Sequence, residues 1–126
     1  MAMISSSEMC ALAGCSYRQL DYWARARVVV PAIEARGTGS PRRFTHRQVR
    51  LVRLVTDLAA LGAQQGVLQR AFELAELIPE DSWSGTAYVD MSGNLTLSPP
   101  PVPAWAIDLA RCAFPGRAPV EQLSLA

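Results

Sequence analysis

Three times in the first fifty residues a serine or threonine is followed three positions later by Glu or Gln: Ser5 with Glu8, Ser16 with Gln19 and Thr45 with Gln48. At that spacing the hydroxyl accepts from a backbone N–H of the first helical turn. The Glu or Gln side chain reaches back to the cap's own N–H, so each pair marks a helix start. Gly14, Pro31, Gly62 and Pro79 are matching stops. Starts and stops this close together allow only short helices. They predict one from about Glu8 to Ala13, a second from Ser16 to Arg25, a third from Thr45 to about Leu61 and a fourth from about Gln64 to Leu77.

Apolar spacing assigns the inner faces. Leu20, Trp23 and Ala24 share one side of the second helix, with Tyr17 a turn earlier. Val49, Leu51, Val52, Val55, Leu58 and Ala59 point inward from the third, and Val67, Leu68, Ala71, Leu74 and Ala75 from the fourth. The first two helices, separated by a turn at Gly14, form a helix-turn-helix. Val28 to Val30, stopped by Pro31, reads as an extended segment. Gly37, Gly39 and Pro41 place a turn between two short strands over Glu34 to Phe44, a loop carrying Arg36, Arg42 and Arg43. Beyond Pro79 the texture changes. Thr86–Val89 and Leu95–Leu97 predict a hairpin around Ser92-Gly93-Asn94, and Pro99, Pro100, Pro101 and Pro103 a stiff extended linker. Trp105, Leu109 and Cys112 at i, i+4 and i+7 predict a short amphipathic helix, and the last ten residues read as loose. The expected fold is mainly α: a winged helix-turn-helix over residues 1–78, then a small C-terminal β-hairpin plus short helix over 79–126.

Charge separates the same two parts. Residues 1–61 hold nine arginines against four acids, and residues 62–126 three against seven, giving +5 and −4 within a net +1. A basic N-terminal half is the footprint of a phosphate-backbone binder. All 12 basic residues are arginine, whose planar fork binds phosphate and guanine bidentately as lysine cannot. The three cysteines, an odd and sparse set, suggest a reducing interior rather than a disulfide framework. With no secretory signal and no apolar run near the roughly 20 residues that span a bilayer, a cytoplasmic location and no membrane partner are expected. His46 is the sole histidine, so no catalytic or metal constellation can be assembled around it. Cys10 and Cys15 flank the first turn, where small buried residues are usual, and Cys112 has no nearby Cys or His in sequence. Neither an enzyme nor a metal or other cofactor is expected.

Two blocks at their observed separation carry a resemblance: Tyr17-Arg18-Gln19-Leu20-Asp21-Tyr22-Trp23-Ala24-Arg25, and Gly37-Thr38-Gly39-Ser40-Pro41-Arg42-Arg43-Phe44-Thr45. Over about residues 6–77 the chain resembles the DNA-binding domain of the MerR family of transcription regulators, in an actinobacterial-type branch. The resemblance implies a dimer on double-stranded DNA, and a Tyr22 hydroxyl that donates to a phosphate. Two departures stand out. Asp21 occupies a place where the wider family usually has arginine. Pro79 and the short segments after it leave no room for the family's long antiparallel coiled coil, so a homodimer would be built through residues 79–126.

The expected DNA contacts follow. Ser16, Tyr17, Arg18 and Gln19 form the exposed first turn that reaches base edges in helix-turn-helix proteins, the bland alternative being that Ser16 and Gln19 only cap. Arg42 and Arg43, joined by Arg36, suit backbone or minor-groove contact from the wing. Among Arg47, Arg50 and Arg53, which recur every three residues, Arg47 in the first turn is the phosphate candidate. Asp21 and Arg25, four apart, are expected to pair. The function so read is a sequence-specific regulator. The alternatives are an excisionase-like protein that bends DNA, and a small-molecule sensor whose Trp83, Tyr88 and Trp105 line a pocket. For those aromatics, packing or a dimer patch is the preferred reading.

Overall fold

The computed structural model describes residues 3–34 and 41–113. In it the three caps close as the spacing predicts. Ser5 starts α1 (Ser6–Ala13), Ser16 starts α2 (Tyr17–Arg25) and Thr45 starts α3 (His46–Ala60), each with both reciprocal hydrogen bonds of its box. Gly14 ends α1 at φ 75°, its N–H donating to the Cys10 carbonyl at 2.9 Å. The fourth helix, α4, runs Gln65–Ala75.

The long helix α3 is the axis of the core. It buries Gln48, Val49, Leu51, Val52, Leu54, Val55 and Leu58, more than one stripe, because α1 packs on one side of it and α4 and the C-terminal segment on others. Each aliphatic buried this fully contributes about 1.5–3 kcal/mol. Gln48 is the buried polar exception, and it is satisfied. Its Oε1 accepts from the Thr45 N–H at 3.0 Å, while its Nε2 donates to the Val30 carbonyl at 2.7 Å. Leu54 and Phe72, unassigned from sequence, are fully buried, while Ala59 and Leu74 are only half-buried.

Four local readings change. Val28 and Val29 do not extend from α2 but fold back over its end. Arg27 takes a left-handed φ of 64°, and the N–H groups of Val28 and Val29 both donate to the Trp23 carbonyl, at 2.9 and 3.2 Å. That reversal carries both valines into the core, where they are fully buried. Second, the return strand of the wing, β2 (Arg43–Phe44), pairs antiparallel with an N-terminal strand, β1 (Ile4–Ser5), as well as with Ile33. Ile4 and Phe44 face the core side by side.

The other two changes lie after Pro79. The hairpin of β3 (Thr86–Asp90) and β4 (Leu95–Thr96) is present, but Trp105 belongs to a third strand rather than a helix. That strand, β5 (Ala104–Asp108), lies antiparallel on the other edge of β3, with Trp105 opposite Val89 and Ile107 opposite Ala87. Ala-Trp-Ala-Ile-Asp alternates exposed and covered residues, and five residues beside an open strand edge gain more from sheet pairing than from one helical turn. Asp108 then starts the helix α5 (Leu109–Ala113), its carboxylate accepting from the N–H groups of Ala110 and Arg111. The proline-rich run therefore carries the chain from one edge of a three-stranded sheet to the other. Leu109, Cys112, Ile107, Val89 and Trp83 join the core that begins at Ile4. The hairpin turn sits on α4 so closely that a Cβ at Gly93 would meet Arg70 Cβ at 2.7 Å.

Candidate nucleic-acid interface

The first turn of α2 stands clear of the core because Leu20, Trp23 and Ala24 hold the opposite side. Tyr17 is 60% exposed, and Arg18, Ser16 and Gln19 are exposed beside it. Ser16 and Gln19 are also the capping box: Ser16 Oγ accepts from the Gln19 N–H, and Gln19 Oε1 from the Ser16 N–H, both at 3.0 Å. The box leaves over the serine O–H and the Gln19 side-chain NH2. Arg18 makes no hydrogen bond or ion pair among the described residues, whereas most arginines of the basic half do.

Tyr22 is exposed, and its hydroxyl donates to Gln65 Oε1 at the start of α4. That partner carries no sequence signal, since it lies forty-three positions away. Asp21 meets Arg25 as its spacing predicts, Arg25 Nη2 to Oδ2 at 2.6 Å. Its other oxygen takes Arg42 Nη1 at 2.8 Å, which fastens the wing's return to α2. The Arg42 hydrogen bond, aided by the charge of Arg25, holds the Asp21 carboxyl below its ordinary range despite some desolvation, so Asp21 stays charged at neutral pH. Arg43 is half-buried; its backbone pairs with Ser5 and Ile33, and its charge adds in a minor way to the Ser5 hydrogen bonds that hold the Glu8 carboxyl below its ordinary range. Arg36 and the wing tip lie outside the described residues, as do the last ten.

Arg47 is placed apart from these. Its Nη2 donates to the carbonyls of Glu76 and Ile78, at 3.0 and 3.2 Å, at the C-terminal end of α4. Tyr22 touches the other end of the same helix. Eleven residues at 1.5 Å each put about 16 Å between the two contacts. Arg50 pairs with Glu80 at 3.1 Å and lies over the Trp83 ring, and Arg53 reaches Asp57 at 3.8 Å, so two more of the basic row serve the interior.

Nothing in the cysteines points to reactive chemistry. Burial pushes the Cys15 thiol up to about 12 and raises Cys10 and Cys112 as well. Among the described residues no group of three or more His, Cys, Asp or Glu could hold a metal ion, and no helix is long and apolar enough to cross a membrane.

The candidate interface thus consists of a capped helix with a free first turn, a strand-fastened wing base beside it and a packed α3–α4 pair behind it. The chain is similar to proteins named uncharacterized HTH-type transcriptional regulator from Mycobacterium bovis and from two Mycobacterium tuberculosis strains, each 44% identical over 54 residues. The match covers 42% of this chain but 24% of each relative's own length. The model of the MerR HTH family regulatory protein matches residues 4–74, from β1 to the last turn of α4. The chain belongs to the MerR family of helix-turn-helix transcription regulators, a family of DNA-binding proteins.

Proposed function

We propose that this chain is a sequence-specific transcription regulator that lays α2 in the major groove of double-stranded DNA and flanks it with contacts from the wing. Arg18 is the observation that carries the reading: it is exposed on the first turn of a helix closed by a capping box and makes no ion pair among the described residues. A guanidinium in that place can fork onto O6 and N7 of a guanine, a contact worth about 1–3 kcal/mol of discrimination. Tyr17 and the groups that the capping box leaves over on Ser16 and Gln19 complete the base-facing turn. Tyr22, Arg43, Arg42 and Arg36 are assigned to phosphates around it. Arg47, a helix length away, has N–H groups beyond those given to the α4 carbonyls and is assigned to a flanking phosphate.

In this reading residues 1–78 are the DNA-reading unit and residues 79–126 an appendage through which two copies associate, so that an inverted repeat is read from both sides. Such work belongs in the cytoplasm. A genome-wide binding map with the footprint length supplies the cognate site. Arg18→Ala should then relax base preference, lowering affinity for the cognate duplex more than for random DNA. An equal loss on both overturns the base-reading role.

A further inference from the structure

Asp21 lies one turn behind Tyr17 and Arg18 on the same side of α2, since residues three and four apart are neighbours on a helix. An acid so close to the groove-facing turn should repel DNA. Its carboxylate is nevertheless held by two guanidiniums from different elements, one per oxygen: Arg25 from the last turn of α2 at 2.6 Å, and Arg42 from the residue before β2 at 2.8 Å. Arg25 is 70% exposed and Arg42 16%, so the first is a surface group and the second is lodged between helix and wing. The trio carries one net positive charge where the two arginines alone would carry two. A phosphate bridged by two arginines makes the same short, charge-assisted contacts.

We propose that Asp21 is an internal stand-in for a DNA phosphate, which keeps Arg25 and Arg42 occupied and so restrains sequence-independent binding. The proposal rests on the DNA-binding reading above. A duplex arriving at this face competes with Asp21 for both guanidiniums and meets a carboxylate of its own sign. Random DNA is held almost entirely by such backbone contacts. The restraint lowers affinity for every duplex and leaves occupied only those sites where base contacts from the first turn of α2 make up the difference.

Asp21→Asn keeps the side chain's shape and one acceptor oxygen while removing its charge. Binding of a random-sequence duplex, followed by fluorescence anisotropy between about 50 and 200 mM salt, should be about tenfold tighter than for the unaltered protein at the lower salt. The slope of log affinity against log salt should steepen by about 0.9 for each arginine passed to a phosphate. Adding Arg25→Ala should cancel much of that gain, although the same change beside an intact Asp21 alters random-DNA binding little. Asp21→Ser, checked for folding by circular dichroism, repeats the measurement without an amide. An unchanged or shallower slope in both Asp21 variants, with or without a fall in Tm, overturns the proposal and leaves Asp21 a structural tie. If the unaltered protein binds no duplex in a salt-dependent way, the DNA-binding reading fails, and this one with it.

Discussion

The first turn of α2 and the helices α4 and α5 treat their charged groups in opposite ways. On α2, Tyr17 and Arg18 reach solvent with no partner among the described residues, and Tyr22 reaches it with only Gln65. In the second half the described arginines are matched: Arg70 lies 3.7 Å from Glu73 and Arg111 3.7 Å from Asp57. A face that meets a polyanion needs charge not already neutralised, whereas a segment that packs onto a core needs its charges paired. The contrast is sharper than the charge balance along the chain and also narrower. Arg50 and Arg53 count toward the basic half but support Trp83, Glu80 and Asp57. Among the described residues, free positive charge is thus concentrated in a few side chains rather than spread over the half.

The widest test of the contrast asks whether the two regions, so different at the surface, are one body inside. Phe72 is 1% exposed on α4, within a core that runs from Ile4 to Cys112. Phe72→Ala should cost about 3–5 kcal/mol, with tryptophan fluorescence and far-UV circular dichroism reporting one coincident denaturant transition. Two separated transitions would show that the regions fold independently. A smaller effect is expected at Arg47, where alanine removes both hydrogen bonds to the end of α4 and should lower stability by about 1–2 kcal/mol. The salt dependence of DNA binding then sharpens its assignment: a slope shallower by about 0.9 puts a phosphate on Arg47, and no change confines it to capping α4. The smallest effect concerns the fold-back after α2. Arg27→Ala and Arg27→Gly both lose the ion pair with Glu34, so their difference isolates the left-handed backbone at φ 64°. The glycine variant should be the more stable by about 1 kcal/mol in a thermal melt. Equal stabilities would mean that position 27 relaxes out of that conformation.

Legibility followed the range of the interaction. The three capping boxes, the glycine stop at residue 14 and the Asp21–Arg25 pair each lie within five residues, and all appear where the spacing put them. The strands fared less well. Two-residue β1 exists only because Arg43–Phe44 comes alongside it. Trp105 sits at helical spacing from Leu109 and Cys112, yet β3 offered a partner edge that no local pattern announces. In the candidate site, the exposed first turn was readable. The hold of Asp21 on Arg42 and of Tyr22 on Gln65 was not, because those residues are twenty-one and forty-three positions apart.

The sequence by itself determined where the three box-capped helices start, the main inward stripe of α2 to α4 and which turn of α2 is left to solvent. Those outcomes rest on backbone hydrogen bonds and apolar periodicity within a few residues. Only the tertiary structure decided which of the described arginines remain free. Whether a guanidinium finds a carboxylate, a helix-end carbonyl or open solvent depends on what the fold brings within about 3 Å of it, and charge along a chain does not encode that distance.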